Sequence, residues 1–162
     1  MTVLQVAEAW EGGVRRHMRD LVAALGPEGF RCVLAVSFER DPLGCEREAA
    51  EYGRMGVPVC AVPMVRGISP LSDAANLIRL IRIIRRVRPD VIHAHSSKAG
   101  FLARAAGACC GVPVVYTPHA FAFLMTGGGW RRRLYRLLES RMRGRTAALI
   151  AVSAEEGREA ER

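Results

Sequence analysis

The 162 residues predict a doubly wound α/β domain, a parallel sheet of about six strands with helices on both faces. Three observations lead there. Short β-rich runs alternate with longer runs of helical spacing. Several helical runs stop at a glycine or at Gly-Val-Pro, which cannot continue a helix. No internal repeat or low-complexity linker breaks the rhythm. Strand, helix, strand throughout calls for parallel neighbours joined by right-handed crossovers. The length suits one core and is short for two.

The first strand is TVLQVA, Thr2–Ala7, followed by the loop EAWEGG and a helix over Val14–Leu25. CVLAVSF, Cys32–Phe38, is the second strand, and Leu43–Met55 has helical spacing after it. VPVCAVP, Val57–Pro63, is the third; its helix, Ser69–Val87, sets Leu77, Leu80, Ile81, Ile84 and Val87 on one face. Arg79, Arg82 and Arg86 follow at i, i+3 and i+7, with Arg85 beside them, so this helix is basic as well as amphipathic. DVIHAH, Asp90–His95, precedes a helix over Lys98–Cys110, and VPVVYT, Val112–Thr117, comes next. A helix over Trp130–Arg143 leads to the last strand, Ala147–Ser153. The closing segment AEEGREAER is expected to open a solvated helix.

Composition excludes several classes. No run approaches the roughly 18 apolar residues of a membrane span, and the start MTVLQVAEAW has neither a basic n-region nor a cleavage site. A soluble cytoplasmic domain is the expectation. The five cysteines (32, 45, 60, 109 and 110) are odd in number, lack a C-x-x-C spacing and mostly sit in apolar segments. A reduced compartment accounts for them, and neither a zinc nor a disulfide framework is expected. The net charge of +8 is uneven: −2 from Met1 to Val65, +12 from Arg66 to Arg145 and −2 beyond. Such a block suggests an anionic partner, which nucleic acid, a membrane surface or a phosphorylated substrate would each satisfy.

In a doubly wound sheet the ligand crevice lies beyond the carboxyl ends of the strands. Three strand ends supply polar or glycine-rich residues to that rim: Trp10 to Gly13 after the first, His95, Ser96, Ser97 and Lys98 after the fourth, and Tyr116 to His119 at the fifth. Ordinary polar loops are the alternative. Gly12 and Gly13, at a strand-to-helix turn, either let the backbone approach a phosphate or meet the needs of a tight turn. The dinucleotide fingerprint G-x-G-x-x-G is absent and Phe38, not an acid, ends the second strand, so a nicotinamide enzyme is disfavoured. His93 and His95 alternate on a strand and share a face, but no acid or cysteine lies nearby in sequence, and a metal pair is not expected. His93 reads as a buried histidine satisfied by a neighbour. His95 and His17 divide between structural and site roles.

EGGVRRHMRDLVAAL, RPDVIHAHSSKAGFLARAAG, GVPVVYTPHAFAF and LIAVSAEE, in this order, resemble the amino-terminal half of family 4 glycosyltransferases, which have the GT-B architecture of two facing Rossmann-like domains. The resemblance implies a retaining transferase that uses a nucleotide-sugar and no metal or other cofactor, with the acceptor held mainly by this half. It implies that Gly12 and Gly13 approach the donor phosphates, and that His119 lies at the reacting sugar as the catalytic residue. His95, Ser96, Ser97, Lys98, Tyr116 and His17 would line the acceptor side. The nucleotide-binding half, with paired glutamates separated by seven residues, would follow Arg162; Glu155, Glu156 and Glu161 have the wrong spacing for it.

Some relatives in that family act on lipid-linked acceptors at the inner membrane face. The Arg79, Arg82 and Arg86 stripe, with Trp130 and Arg131 in GGGWRRRLYRLL, is consistent with a peripheral membrane surface, since an indole favours the headgroup zone. A solvated arginine face on a crossover helix is the plainer reading. The competing functions are another GT-B-like sugar-nucleotide enzyme, such as an epimerase, and a basic polyanion or nucleic-acid module. The last has the charge but no aromatic-basic strand motif or helix-turn-helix, and no nucleic-acid partner is expected.

Overall fold

The computed structural model describes residues 1–121 and 129–161, the side chains of Arg131 and Glu161 excepted. Among them run β1 (Thr2–Ala7), α1 (Gly12–Leu25), β2 (Arg31–Val36), α2 (Pro42–Arg54), β3 (Val59–Ala61), α3 (Pro70–Val87), β4 (Val91–His95), α4 (Ser97–Cys110), β5 (Val114–Thr117), α5 (Trp130–Met142), a 3-10 turn at Arg143–Arg145, β6 (Ala148–Leu149) and α6 (Ala154–Glu161). The strands form one sheet in the order β3-β2-β1-β4-β5-β6, and every pairing is parallel. The doubly wound α/β fold read from the sequence is the fold of the chain. Its order reverses between β1 and β4, and that switch point is where the crevice opens.

Alternation along the strands splits the core between two faces. Val3, Ala7, Leu34 and Val36 pack under Met18 and Val22 of α1 and Cys45 and Tyr52 of α2. Leu4, Val6, Val33, Ala35, Ile92 and Ala94 pack under Leu80 and Ile84 of α3 and Leu102 and Ala106 of α4. Two glycines let α4 lie close to the sheet. A Cβ on Gly100 would come within 2.3 Å of the Tyr116 ring, and one on Gly107 within 2.6 Å of Val114 Cγ2.

The strand ends differ from expectation at both edges of the sheet. β3 covers three residues, bracketed by Pro58 and Pro63, which have no N–H to give to a ladder. β6 covers two, because the chain turns away after Ile150 donates to Tyr116 O at 2.9 Å. Val152 N then donates to Glu156 Oε2 at 2.7 Å instead of to the sheet. All five cysteines are free thiols. Among the described residues no helix is long and apolar enough to cross a membrane.

Candidate functional site

Register places the site. Gln5 pairs with His93 and Ala7 with His95 across β1 and β4, and His95 pairs with Thr117 across β4 and β5. Gln5, His93, His95 and Thr117 therefore project from the α1 side of the sheet. His17, in the second turn of α1, comes down onto them, and His119 follows β5 over the top. The His95 ring lies 4.1 Å from His93, 5.6 Å from His17 and 5.4 Å from His119, centroid to centroid, and His17 and His119 are 5.0 Å apart.

The hydrogen bonds define this stack chemically. His93 Nε2 meets Thr117 Oγ1 at 2.8 Å, the neighbour expected to satisfy it. His95 Nε2 meets Gln5 Oε1 at 2.7 Å. An amide oxygen only accepts, so Nε2 carries the His95 proton and Nδ1 is left bare. That bare Nδ1 faces His119 Nε2 at 3.2 Å. Burial pushes the His93 imidazole down to about 4, with His17 and His119 adding to the effect. Burial, then His93, holds His95 well below its ordinary value. His119 is lowered as well, by burial and by His17, against a smaller opposing pull from Glu156. All three are neutral imidazoles near pH 7. The nitrogens of His17, His95 and His119 lie within 4.8 Å of one another, a spacing open to a metal ion.

The backbone around the stack is strained. Ser96, His119 and Ala120 have φ of 75°, 51° and 75°, a region that residues with a Cβ seldom adopt. Such conformations persist where the surroundings enforce them, and they cluster at ligand sites. Glu156 does the enforcing at His119 and Ala120. Its Oε1 accepts from Ala120 N at 2.6 Å and its Oε2 from Val152 N at 2.7 Å, and the residue is only 4% exposed. The expectation of a solvated helix here is thus corrected: α6 turns Glu156 inward. No periodic signal marks it, since Ala120 N, the amide it holds beside His119, lies on a loop 36 positions away.

On the other side of His119 is the turn after β1. Gly12 has φ 53°, a left-handed conformation that glycine adopts without the cost a Cβ would bring. Gly13 differs: its φ is ordinary and a Cβ would meet nothing within 4 Å. Both line an open groove of about 700 Å³ with His119, Ala120 and Ser153. Glu8, buried at the end of β1, accepts from Nε and Nη2 of the Arg40 guanidinium at 3.0 to 3.2 Å, and Arg40 Nη1 pairs with Glu11. Arg15 Nε donates to Trp10 O at 2.9 Å, while Trp10 is buried against Phe38 and Tyr52. Glu8 and Arg40, which hold the loop, escaped the sequence reading. An acid directly after an apolar strand was the available signal.

A second cavity, of about 500 Å³, opens beside the first. Glu8, Arg40, Arg66, Ser96, Lys98 and His119 provide its polar part; Ile68, Pro70, Phe101, Tyr135 and Leu138 provide an apolar wall. Ser97 and Asp73 also line it. Lys98 Nζ is held by both oxygens of Asp73 at 2.6 Å, so α3 fixes where this cation sits.

Three of the expected acceptor residues, Tyr116, His95 and His17, do not line the cavity. Tyr116 is buried beneath α4, where its hydroxyl donates to Glu139 Oε1 at 3.1 Å and the Arg104 guanidinium covers its ring at 4.3 Å. Placing Tyr116 at the rim is corrected by its strand parity, which turns it to the α4 face while Thr117 turns to the histidines. His95 is fully buried and stands behind His119. His17 is half-buried at the junction of α1 with the stack, so Ser96, Ser97, Lys98 and His119 remain as the expected residues that line this cavity. Arg79, Arg82 and Arg86, exposed along α3, and Trp130, 70% exposed at the start of α5, do not line it. The Arg131 side chain, with Gly127, Gly128 and Phe123, lies outside the described residues.

A Rossmann-like domain with a glycine turn, buried imidazoles and two adjoining cavities at its switch point is the class that the fold and the site define. The chain belongs to the family of the Glycosyl transferase 4-like domain, which matches residues 12–162. It is 37% identical over 94 residues to the UDP-Gal:alpha-D-GlcNAc-diphosphoundecaprenol alpha-1,3-galactosyltransferase of Escherichia coli, a match covering 57% of this chain and 24% of that protein. It is 30% identical over 158 residues to an uncharacterized 41.2 kDa protein in the cps region of Klebsiella pneumoniae, covering 94% of this chain and 40% of that one. The chain thus spans less than half the length of these curated relatives.

Solved structures agree on the fold. The Anabaena Alr3699/HepE complex with UDP and glucose superposes with a TM-score of 0.69 at 15% identity, over 99% of this chain and 40% of that one. MurG of Acinetobacter baumannii gives 0.63 at 13%, over 93% and 40%. The UDP-GlcNAc 2-epimerase of Methanocaldococcus jannaschii gives 0.62 at 10%, over 99% and 41%.

Proposed function

We propose that this chain is the acceptor-side domain of a retaining glycosyltransferase that moves a sugar from a nucleotide-sugar to a lipid-linked glycan. The observation that carries the reading is the 500 Å³ cavity, polar around His119 and Lys98 and apolar along Phe101, Tyr135 and Leu138. A polyprenyl-diphosphate sugar has the same division, an anionic head and an apolar tail. The Escherichia coli relative, by its name, acts on a diphosphoundecaprenol acceptor, and this supports the choice. The fold alone is shared with epimerases; the family match is what favours a transferase.

In this reading Gly12 and Gly13 bring backbone N–H groups and the positive end of α1 to the donor diphosphate, where charge develops as the sugar leaves. His119, neutral and reaching both cavities, orients a sugar hydroxyl between donor and acceptor. His95 is a positioning residue: Gln5 sets its tautomer and it holds the His119 ring. Ser96, Ser97 and Lys98 contact the acceptor head, and His17 braces the stack. The base and ribose of the nucleotide belong to a second Rossmann-like domain that completes the enzyme. The exposed arginines of α3 and Trp130 rest against the anionic inner face of the cell membrane, which presents the acceptor.

Calorimetry on the 162-residue chain tests this. A short-chain polyprenyl-diphosphate-linked N-acetylhexosamine is expected to bind at least ~10-fold more tightly than UDP-sugars. Phe101→Asp, which places a charge on the apolar wall, is expected to weaken only the lipid-linked ligand. Micromolar binding of a UDP-sugar by the chain alone, with no binding of the lipid-linked sugar, would reverse the assignment.

A further inference from the structure

We infer that His17, His95 and His119 form a binding site for a divalent transition-metal ion of the zinc type. The ring nitrogens come from three separate elements, α1, β4 and the turn after β5, and all lie within 4.8 Å of one another. Two of them already have the spacing of metal ligands. Nitrogens bound to zinc at about 2.0–2.1 Å in tetrahedral geometry stand about 3.3 Å apart. His95 Nδ1 and His119 Nε2 stand 3.2 Å apart.

Two further observations point to a ligand. His17 Nε2 is buried and has no hydrogen-bond partner, a donor or acceptor left idle beside the other two rings. His95 is set up as a ligand from behind: Gln5 Oε1 accepts from its Nε2–H at 2.7 Å, which leaves Nδ1 bare and directed at His119. That is the arrangement by which an outer partner fixes a metal-binding imidazole. When the ion enters, His119 adopts its Nδ1–H tautomer and Nε2 becomes the third nitrogen donor. His17 closes the remaining distance by side-chain rotation. The fourth position of a tetrahedral ion stays open for water or an oxygen ligand. His93 takes no part, because its Nε2 is engaged by Thr117. The pair that alternates on the strand is therefore not the metal pair; the ligands converge only in the fold.

The binding claim stands apart from the transferase reading. One consequence rests on that reading: an ion on His119 would occupy the imidazole needed at the sugar, so zinc would inhibit transfer instead of supporting it.

The chain, stripped with a chelator and dialysed free of it, is titrated with zinc chloride by calorimetry and with cobalt chloride by visible absorption. One ion per chain is expected, with a dissociation constant of about 10 µM or tighter and the intense bands of a four-coordinate cobalt site. His17→Gln and His119→Gln are each expected to weaken zinc by at least ~10-fold, and Gln5→Leu by a similar factor through the His95 tautomer. His93→Gln should keep wild-type affinity. Circular dichroism of each variant with chelator confirms that it is folded, and His17→Gln, at a half-buried position, keeps the test decisive if a buried variant does not fold. Binding only at millimolar zinc overturns the site. So does zinc uptake that survives both histidine substitutions and disappears in Cys109→Ser/Cys110→Ser.

Discussion

Gly12 and Gly13 are adjacent and look alike in the sequence, yet the structure separates their reasons. Gly12 is favoured by a left-handed φ of 53°. Gly13 sits in the first turn of α1 with an ordinary φ and open space where a Cβ would be. A glycine in mid-helix costs roughly 0.5–1 kcal/mol relative to alanine, an upper bound in the first turn, so Gly13 weakens the helix start without easing any contact of the protein. In the proposed function the open space belongs to the donor diphosphate. Gly13→Ala is accordingly expected to raise the stability of the domain, by up to about 1 kcal/mol in urea denaturation, while lowering nucleotide-sugar affinity in the enzyme that carries it. A variant that is more stable and binds the donor equally well would make Gly13 incidental. The contrast also shows where sequence reading stops. A Gly-Gly pair is visible in the chain, but which glycine serves the backbone and which leaves room for a ligand depends on torsion angles.

Helix α3 presents two faces with separate consequences. Leu80 and Ile84 are in the core, whereas Arg79, Arg82 and Arg86 are exposed. Changing these three arginines to glutamine should leave the unfolding free energy within about 0.5 kcal/mol, as for most surface substitutions. Anionic vesicle binding should fall by up to about 100-fold at low salt, given roughly 1 kcal/mol per basic residue near the surface. Unchanged co-sedimentation would remove the membrane from the proposal. The period of this helix was readable because its apolar and basic positions repeat every three or four residues. The same held for the central strands, whose apolar runs are long enough to be unambiguous. β3 and β6 were over-read because, at the sheet edges, prolines and a side-chain acceptor on Val152 N end the pairing before the apolar run ends. Glu8, Arg40 and Glu156 carried no periodic mark at all, since each acts on a loop that only the tertiary fold brings near.

For the molecule as a whole, the buried imidazoles set a pH dependence. His93 is held neutral by burial with His17 and His119, His95 by burial with His93, His119 and His17, and His119 by burial and His17 against an opposing pull from Glu156. Their folded values lie below the ordinary 6.5, so below that pH the unfolded chain binds more protons than the folded one. Stability is thus fully present above pH 6.5 and is lost as pH falls toward about 4. The melting temperature, measured in a chelator, should fall across that window, and His93→Gln should flatten the fall; a melting temperature constant over the same range would mean the imidazoles titrate freely in the fold. The sheet order has a different consequence, for the time at which a site can exist. β1 is made first but occupies the centre, and its partner β4 lies far along the chain: Gln5 and His95 are 90 positions apart and Thr2 N reaches Asp90 across 88. During synthesis β1, β2 and β3 can pair among themselves while one side of β1 waits with an unpaired edge. The histidine stack cannot assemble until that edge is closed by β4 and β5, so the chemistry of this domain appears late, as the last product of folding and not as a feature of any part.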